Sequence, residues 1–300
     1  MKKTVSLLLV VAFIMSFSVL SFADGAPVKV ASTCREGVEI PAFITIPADY
    51  DAATPANLVM MIHGHGGNHN EWGGYDKISD GLAANGVIVA TLDFPGCGDS
   101  AESFQLNTMT NMKNDVLDVI NYVKGEYNVA EVGAFGYSMG GRIALEMTVE
   151  DMFAFDSIEF VAPAEDYEDL KNLFGGHDAW DELYAKAAEN GFVNFTTVYG
   201  QEQELSKEWF EDLAKYPDGL AEAAAAKFDK PVMVIYAVDD EAVSPAVSQG
   251  VADAFGAPVY TSPFGGHSYS FYNDAPEIAA VVNDNSIAFF SGAAEVAAAA

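Results

Sequence analysis

Short apolar runs alternate with amphipathic stretches along most of the 300-residue chain. The apolar runs are typical of buried strands and lie at residues 57–62, 86–92, 131–136, 157–161, 231–236 and 258–260. Helical patterns lie among them, near 75–85 and at 108–124 and 140–149. Because strands alternate with helices, the sequence predicts an α/β fold with a mostly parallel sheet covered on both faces. Residues 38–46 are expected to add antiparallel strands at the leading edge of that sheet.

The alternation stops between residues 165 and 229. Acidic, alanine and aromatic residues dominate there, and glycine, asparagine and proline interrupt the pattern. We interpret residues 165–229 as a mostly helical cap inserted after the strand at 157–161. Its aromatic side chains either line a substrate pocket or form a small core of the cap. Those that we assign to substrate binding are Phe174, Trp180 and Trp209.

Residues 1–23 have the features of a secretory signal peptide. Lys2 and Lys3 precede a long apolar run, and small residues stand before a cleavage point after Ala23. The alternative is an uncleaved anchor, because the apolar run approaches the length that spans a bilayer. The sequence therefore predicts a mature domain at 24–300 that is secreted or extracytoplasmic and has no stable membrane association after cleavage.

Acidic residues far outnumber basic ones, with 44 Asp and Glu against 14 Lys and Arg and a formal net charge of −30. Such a surface repels phosphate groups, which argues against nucleic acids and anionic membranes as partners. Arg35 and Arg142 are the only arginines, so no basic recognition patch is available. Cys34 and Cys97 are too few for a disulfide framework, and we expect two free thiols. The length fits one large domain with an insertion, and the oligomeric state stays open.

A serine lies between two glycines where a predicted strand meets a predicted helix, in the segment Gly136–Gly141 (GYSMGG). A sharp strand-to-helix turn holds such a serine in a strained backbone, with its hydroxyl clear of the sheet. The same pattern also arises as a small-residue turn that only packs closely against a neighbour. We take Ser138 as the candidate nucleophile.

Candidate partners for this serine come later in the chain, each after a predicted strand. Asp239 and Asp240 follow the strand at 231–236, and His267 lies in a glycine loop after the strand at 258–260. A serine hydroxyl is a poor nucleophile until a histidine removes its proton, and that histidine needs a carboxylate to orient it. The order serine, acid, histidine therefore predicts a catalytic triad for acyl transfer.

A glycine-rich loop follows the strand at 57–62, in the segment His63–Gly67 (HGHGG). Acyl transfer needs backbone N–H groups that bind the oxyanion of the tetrahedral intermediate. We assign these two donors to the backbone amides of His65 and Met139. The rival interpretation is a metal site built from the histidines of this region. Their spacing lacks the glutamate between paired histidines that zinc motifs contain, so we expect no metal.

Over most of its mature length the sequence resembles the α/β-hydrolase superfamily and, within it, the bacterial cinnamoyl and feruloyl esterases. The resemblance rests on residues 38–47, the glycine loop with Asn68 and Trp72, residues 93–100, the Ser138 turn, residues 161–164, the acid loop, Gly266 and His267. It implies an α/β-hydrolase fold and a serine esterase that needs no cofactor.

The resemblance also indicates which carboxylate completes the triad. The acid of the family stands three residues before an aliphatic residue, and Val243 places Asp240 in that position. The family has a glycine three residues before the acid, and Ala237 replaces it here. The resemblance therefore favours Asp240, and Asp239 is the alternative.

The implied substrates are small or aryl esters, with a feruloyl, cinnamoyl or short acyl group, either free or linked to a plant polysaccharide. Two alternatives remain open. A serine peptidase of the same fold, similar to an aminopeptidase, would use the same residues and could bind an amine with the carboxylates at 165–169. A secreted binding protein would keep the fold without the chemistry.

Overall fold

An eight-stranded sheet forms the centre of the computed structural model, which describes residues 25–197, 200–268 and 276–292. Its strand order is β1-β2-β4-β3-β5-β6-β9-β10. The first two pairings, β1 with β2 and β2 with β4, are antiparallel, and all the others are parallel. These strands are β1 (Ala26–Ala31), β2 (Glu39–Thr45), β3 (Ala56–Ile62), β4 (Ile88–Leu92), β5 (Val129–Tyr137), β6 (Ser157–Val161), β9 (Val232–Ala237) and β10 (Val259–Ser262).

Helices follow most of the parallel strands, as the alternating pattern predicts. They are α1 (Asp76–Ala84), α2 (Met109–Glu126), α3 (Met139–Val149), α4 (Tyr167–Leu173), α5 (His177–Asn190), α6 (Lys207–Leu213), α7 (Leu220–Ala225), α8 (Pro245–Phe255) and α9 (Pro276–Ser291). The α/β-hydrolase fold expected from the sequence is confirmed, including the antiparallel leading edge. Strand β1 was not predicted, and it extends that edge by one strand.

The two faces of the sheet are visible in strand β6, where successive side chains point in opposite directions. The side chain of Glu159 contacts Ser286 of α9, whereas Phe160 packs against Phe255 of α8, with ring centroids 5.8 Å apart. On the face of the sheet to which Glu159 points, helix α9 contacts α1. On the opposite face, α7 contacts both α3 and α8. The buried strands are covered on both faces, which explains their nearly continuous apolar sequences.

Residues 165–229, the cap segment, contain four helices and a two-stranded antiparallel hairpin within their described part. The hairpin consists of β7 (Phe192–Thr196) and β8 (Glu202–Ser206). The sequence predicts mostly helices here, and the hairpin was not predicted. The sequence of β8, EQELS, contains good helix formers, so its extended form depends on pairing with β7 and not on intrinsic propensity.

A fully buried arginine ties the cap segment to α3. The side chain of Arg142 pairs with Glu146 at 3.0 Å and donates to the carbonyl oxygens of Glu165 at 2.6 Å, Leu213 at 3.0 Å and Tyr216 at 3.0 Å. A buried charge without such partners would be strongly destabilising. Helix α3 and two separate parts of the cap segment therefore depend on one side chain.

The predicted signal peptide, residues 1–23, and its cleavage point lie outside the described residues. Among the helices that the structure describes, none is both long and apolar enough to cross a membrane. Cys34 is exposed and Cys97 is buried, and neither is in a disulfide. Burial raises the pKa of the Cys97 thiol.

A buried carboxyl group joins β6 to α9. Ser286 Oγ lies 2.6 Å from Glu159 Oε1 and 2.7 Å from the carbonyl oxygen of Val282. The serine has one hydrogen and the carbonyl can only accept, so both contacts are hydrogen bonds only if the Glu159 carboxyl is protonated. Burial raises the pKa of Glu159 to about 8, so the carboxyl holds this proton at neutral pH.

This arrangement predicts a pH-dependent stability difference for Glu159→Gln. Between the unfolded pKa, about 4.5, and the folded pKa, about 8, the native state must retain a proton that the unfolded state releases, so wild-type stability falls as pH rises. In the variant, the glutamine NH₂ group can still donate to Ser286 Oγ, and the side chain has no proton that the unfolded state would release. Its advantage in free energy of unfolding should grow by roughly 1.4 kcal/mol per pH unit across this window, measured by urea denaturation. Glu131→Gln, at an exposed position of β5, is the control, and an advantage independent of pH would contradict the prediction.

Candidate active site

Ser138 occupies the sharp turn between β5 and α3, with φ 53° and ψ −118°. This backbone conformation is strained for a residue with a side chain. Glycine is required beside it, because a Cβ at Gly140 would lie 2.0 Å from the carbonyl oxygen of Ile62, and a Cβ at Gly136 would lie 2.7 Å from Gly141 Cα. The turn therefore exists because both flanking positions lack side chains, as the motif predicts.

The structure brings Ser138, His267 and Asp240 together in a continuous hydrogen-bonded chain. Ser138 Oγ lies 3.0 Å from His267 Nε2, and His267 Nδ1 lies 2.9 Å from Asp240 Oδ2. Because the carboxylate can only accept, Nδ1 carries the hydrogen and Nε2 presents its lone pair to the serine hydroxyl. This tautomer can remove the serine proton.

Asp240 is 7% exposed and accepts hydrogen bonds at 2.9 Å from the backbone amides of Ala242 and Val243 as well. Burial by itself raises the pKa of this carboxyl, but its hydrogen bonds to His267 and to the two amides outweigh burial, and the pKa lies below the usual value. Asp240 therefore stays ionised next to the histidine.

Asp239 has a different position. Its side chain is exposed and accepts from the backbone amides of Gly265 at 3.3 Å and Gly266 at 2.9 Å. It supports the loop that carries His267 without contacting the imidazole. Asp240 therefore contacts the His267 imidazole directly, whereas Asp239 contacts only the backbone of the loop that carries His267.

Tyr137 is a residue that the sequence analysis missed. Its hydroxyl donates to the carbonyl oxygen of His267 at 2.7 Å, and its ring stacks on the imidazole with centroids 5.2 Å apart. The position between glycine and serine in the motif tolerates many residues, so the sequence contains no signal for this role.

The two predicted oxyanion donors lie on either side of the serine. Gly64, which precedes His65, is in close contact with Ser138, since a Cβ there would lie 3.3 Å from Ser138 Cβ. Met139 is the first residue of α3. Within the described residues, neither the His65 nor the Met139 backbone N–H donates to a protein acceptor. Both amides are therefore available to bind an oxyanion.

The loop that carries His65 is held by buried polar side chains. Glu71 Oε1, 1% exposed, accepts from the Gly64 amide at 2.8 Å. Glu71 and the next residue, Trp72, both have positive φ, 47° and 50°. The histidines considered as metal ligands have separate partners: His63 donates to the Gly64 carbonyl at 2.8 Å, and His69 contacts Asp93. In the described part of the chain, no group of three His, Cys, Asp or Glu side chains could hold a metal ion.

A mainly apolar cavity of about 600 Å³ opens onto Ser138 and His267. Of the three aromatic residues assigned to substrate binding, Phe174 lines it. Trp180 and Trp209 do not; they are 3% and 1% exposed and pack against each other, with centroids 5.5 Å apart, in the core of the cap segment. Residues not assigned from sequence also line the cavity, namely Trp72, Leu173, Phe195, Thr197 and Gln201.

The family model that matches this sequence is the one described as the alpha/beta hydrolase family, over residues 59–281. The structure is similar to that of Est1E from Butyrivibrio proteoclasticus bound to ferulic acid, with a TM-score of 0.71 and 20% identity over 87% of this chain and 97% of that chain. At this sequence identity, the similarity shows that the two proteins share a fold.

Two curated relatives match over shorter regions. A monoglyceride lipase from Rattus norvegicus is 27% identical over 37% of this chain and 36% of its own length. The 2-hydroxy-6-oxononadienedioate/2-hydroxy-6-oxononatrienedioate hydrolase from Cupriavidus pinatubonensis is 26% identical over 50% of this chain and 46% of its own length. The matches therefore span less than half the length of either relative.

The geometry predicts unequal effects for the two neighbouring carboxylates. Asp240→Asn removes the charge that orients His267 and should lower the rate of Ser138 labelling by a fluorophosphonate on the order of 10³-fold or more at neutral pH. Asp239→Asn keeps an oxygen acceptor for the glycine amides and should cost less than about 10-fold. Labelling is followed by intact mass on samples matched for thermal stability. A larger loss for Asp239→Asn would show that the assignment of the acid is wrong.

Proposed function

Because the chain belongs to the alpha/beta hydrolase family, we propose that it is a serine carboxylic ester hydrolase that acts through an acyl-enzyme. The observation that carries the proposal is the chain from Ser138 Oγ through His267 to Asp240, with distances of 3.0 and 2.9 Å, which opens onto an apolar cavity. The base lies within hydrogen-bond reach of both the nucleophile and the orienting acid, in the order that acyl transfer requires.

In the first step, His267 Nε2 removes the proton of Ser138 as Oγ attacks the ester carbonyl carbon. The carbonyl oxygen becomes an oxyanion that accepts hydrogen bonds from the His65 and Met139 amides. His267 then gives the proton to the leaving alcohol, and the acyl group stays on Ser138. Asp240 stabilises the imidazolium that exists between the two proton transfers.

In the second step, water replaces the alcohol. His267 removes a proton from the water as its oxygen attacks the acyl carbon, and the same two amides bind the second oxyanion. The proton returns to Ser138 Oγ as the carboxylic acid leaves. Every charge that develops is bound by a residue or amide of this chain.

The proposed substrates are esters with a short acyl or an aryl acyl group. The cavity is mainly apolar, and aromatic and aliphatic side chains such as Phe174, Phe195 and Leu173 line it. A planar acyl group fits such a lining better than a charged one. The ferulic acid bound to Est1E, a protein of the same fold, points to the same class. The alcohol portion includes small alcohols and plant-polysaccharide hydroxyls.

The aminopeptidase alternative has no support from the cavity. The carboxylates at 165–169 that would bind an amine do not line it. Glu165 accepts from the Ala221 amide, and Asp169 accepts from the Ser244 amide. Secretion is part of the proposal and rests on the lysines and apolar run of residues 1–23.

Ser138→Ala tests the proposal directly. The variant should lose all but a few per cent of the hydrolysis of methyl ferulate and p-nitrophenyl butyrate, because the proposed acyl-enzyme forms on Ser138 Oγ. Circular dichroism should match the wild type, and Ser32→Ala, at a partly exposed serine, should keep full activity.

The same assay series compares hydroxycinnamate methyl esters, p-nitrophenyl esters of increasing acyl length, acetylated sugars and aminoacyl-naphthylamides. Faster hydrolysis of the naphthylamides than of every ester would favour the peptidase. Substantial ester hydrolysis by purified Ser138→Ala would remove Ser138 from the role of nucleophile.

A further inference from the structure

A series of side-chain hydrogen bonds runs from the oxyanion loop into the hairpin β7–β8 and back. His65 Nε2 lies 2.8 Å from Gln203 Oε1, and Gln203 Nε2 donates to Gln201 Oε1 at 3.0 Å. Gln201 Nε2 then donates to the carbonyl oxygen of Gly66 at 3.0 Å. The series begins at one residue of the loop and ends at the next, so it closes a ring around the peptide that joins them.

The direction of every bond in this ring is determined by its last member. The Gly66 carbonyl can only accept, so the Gln201 amide group must present its NH₂ there and its oxygen to Gln203. Gln203 must then present its NH₂ to Gln201 and its oxygen to His65. The His65 imidazole is therefore held with its hydrogen on Nε2, and the ring works in one arrangement only.

The bond between His65 and Gln203 is the most shielded part of the ring, whereas Gln201 is partly exposed and lines the cavity. Gln203 is 2% exposed. The imidazole of His65 packs among the rings of Phe104, Phe174 and Trp209, with centroids 5.4, 5.8 and 5.5 Å away. Burial lowers the pKa of His65 to about 4, which keeps the imidazole neutral and preserves this tautomer near neutral pH. A buried N–H that loses its acceptor costs more than an ordinary hydrogen bond contributes.

We infer that Gln203 is a positioning residue for ester hydrolysis: it fixes the His65 side chain and, through it, the direction of the His65 backbone N–H toward the oxyanion. The inference rests on the proposed function, in which that amide stabilises the tetrahedral intermediate. Oxyanion donors must be held to within about 0.5 Å and 10–20° of the geometry in which they bind the developing charge. Hydrolysis by this chain therefore requires the hairpin of the cap segment in place, as a support for the catalytic loop as well as a wall of the cavity.

The test is Gln203→Met, which keeps the length and burial of the side chain but leaves the His65 Nε2–H without its acceptor and Gln201 Oε1 without its donor. We expect kcat for p-nitrophenyl butyrate, per active site titrated with a fluorophosphonate, to fall on the order of 10-fold or more while KM changes less than about 2-fold. Affinity for a trifluoromethyl ketone, whose adduct places an oxyanion in the site, should fall by the same factor as kcat/KM. Gln249→Met is the matched control. Gln249 lies on α8, away from the site, is half-buried, and accepts a hydrogen bond from the Tyr236 hydroxyl at 2.9 Å.

A double-mutant cycle separates positioning from a general loss of stability. His65→Phe leaves the Gln203 oxygen without a donor and should also lower kcat. In the double variant His65→Phe/Gln203→Met the unsatisfied His65 N–H and the unsatisfied Gln203 oxygen are both absent, and Gln201 Oε1 lacks its donor only as it does in Gln203→Met. The kcat should therefore be no lower than in the worse single variant. Losses that multiply in the double variant, or a kcat of Gln203→Met equal to that of the control, would overturn the inference.

Failure of the inference is distinguishable from failure of the proposed function. If the wild-type protein and Gln249→Met neither react with the fluorophosphonate nor hydrolyse any ester, the proposed function is wrong and the inference falls with it. If both react and Gln203→Met reacts at the same rate, the inference alone is wrong. If Gln203→Met reacts more slowly at an unchanged melting temperature, the positioning role is supported.

Discussion

The strained turn at Ser138 is the constraint on which the rest of the site depends. Its backbone conformation cannot be maintained by the turn alone, because a positive φ costs free energy at any residue with a Cβ. Neighbouring backbone holds it: the Ser138 amide donates to the Val161 carbonyl at 2.9 Å, and the Ala164 amide donates to the Ser138 carbonyl at 3.0 Å. The nucleophile is thus fixed between β5 and the end of β6, at the carboxyl edge of a rigid parallel sheet.

From this fixed point, the other parts of the site are positioned by groups buried around it. Arg142, four residues into α3, bonds to the carbonyl oxygens of the cap segment, while Glu71 holds the glycine loop through the Gly64 amide. Asp240, in the loop after β9, orients His267, in the loop after β10. In each case a buried polar or charged side chain has hydrogen-bonding partners that leave it little freedom, because an unsatisfied alternative would be far less stable. Precision at the serine therefore comes from elements that are distant in sequence.

The cap segment has two roles in this arrangement. Its aromatic core, built around Trp180 and Trp209, encloses the imidazole of His65, and its hairpin supplies the glutamines that bond to the oxyanion loop. Phe174 and Phe195 face the cavity, and Phe174 also packs against His65 and Trp209. Gln201 likewise both lines the cavity and bonds to the loop, whereas Gln203 bonds to the loop without lining the cavity. Substrate contact and support of the loop are therefore coupled through Phe174 and Gln201.

Sequence alone determined an α/β fold with a mostly parallel sheet, because its strands and helices have strong local periodicity and alternate regularly. The α/β-hydrolase fold in particular was implied by the resemblance of its motifs to that superfamily. It also indicated Ser138, because the steric demands of the turn restrict which residues can flank a serine there, and His267, because it follows a later strand in the chain order of a triad. It did not reveal Glu71, Tyr137 or Gln203, whose positions carry no motif.

What the tertiary structure decided are the contacts between residues far apart in the chain. The bond between His65 and Gln203 joins positions 138 residues apart, and the extended form of β8 depends on its partner strand. The positions of Trp180 and Trp209 were also decided by the tertiary structure. The sequence assigned both to substrate binding, but an aromatic residue in a cap is suited equally to a pocket wall and to a core. Only the packing of the cap against the oxyanion loop decides between them, because burial is a property of the assembled chain and not of the residue.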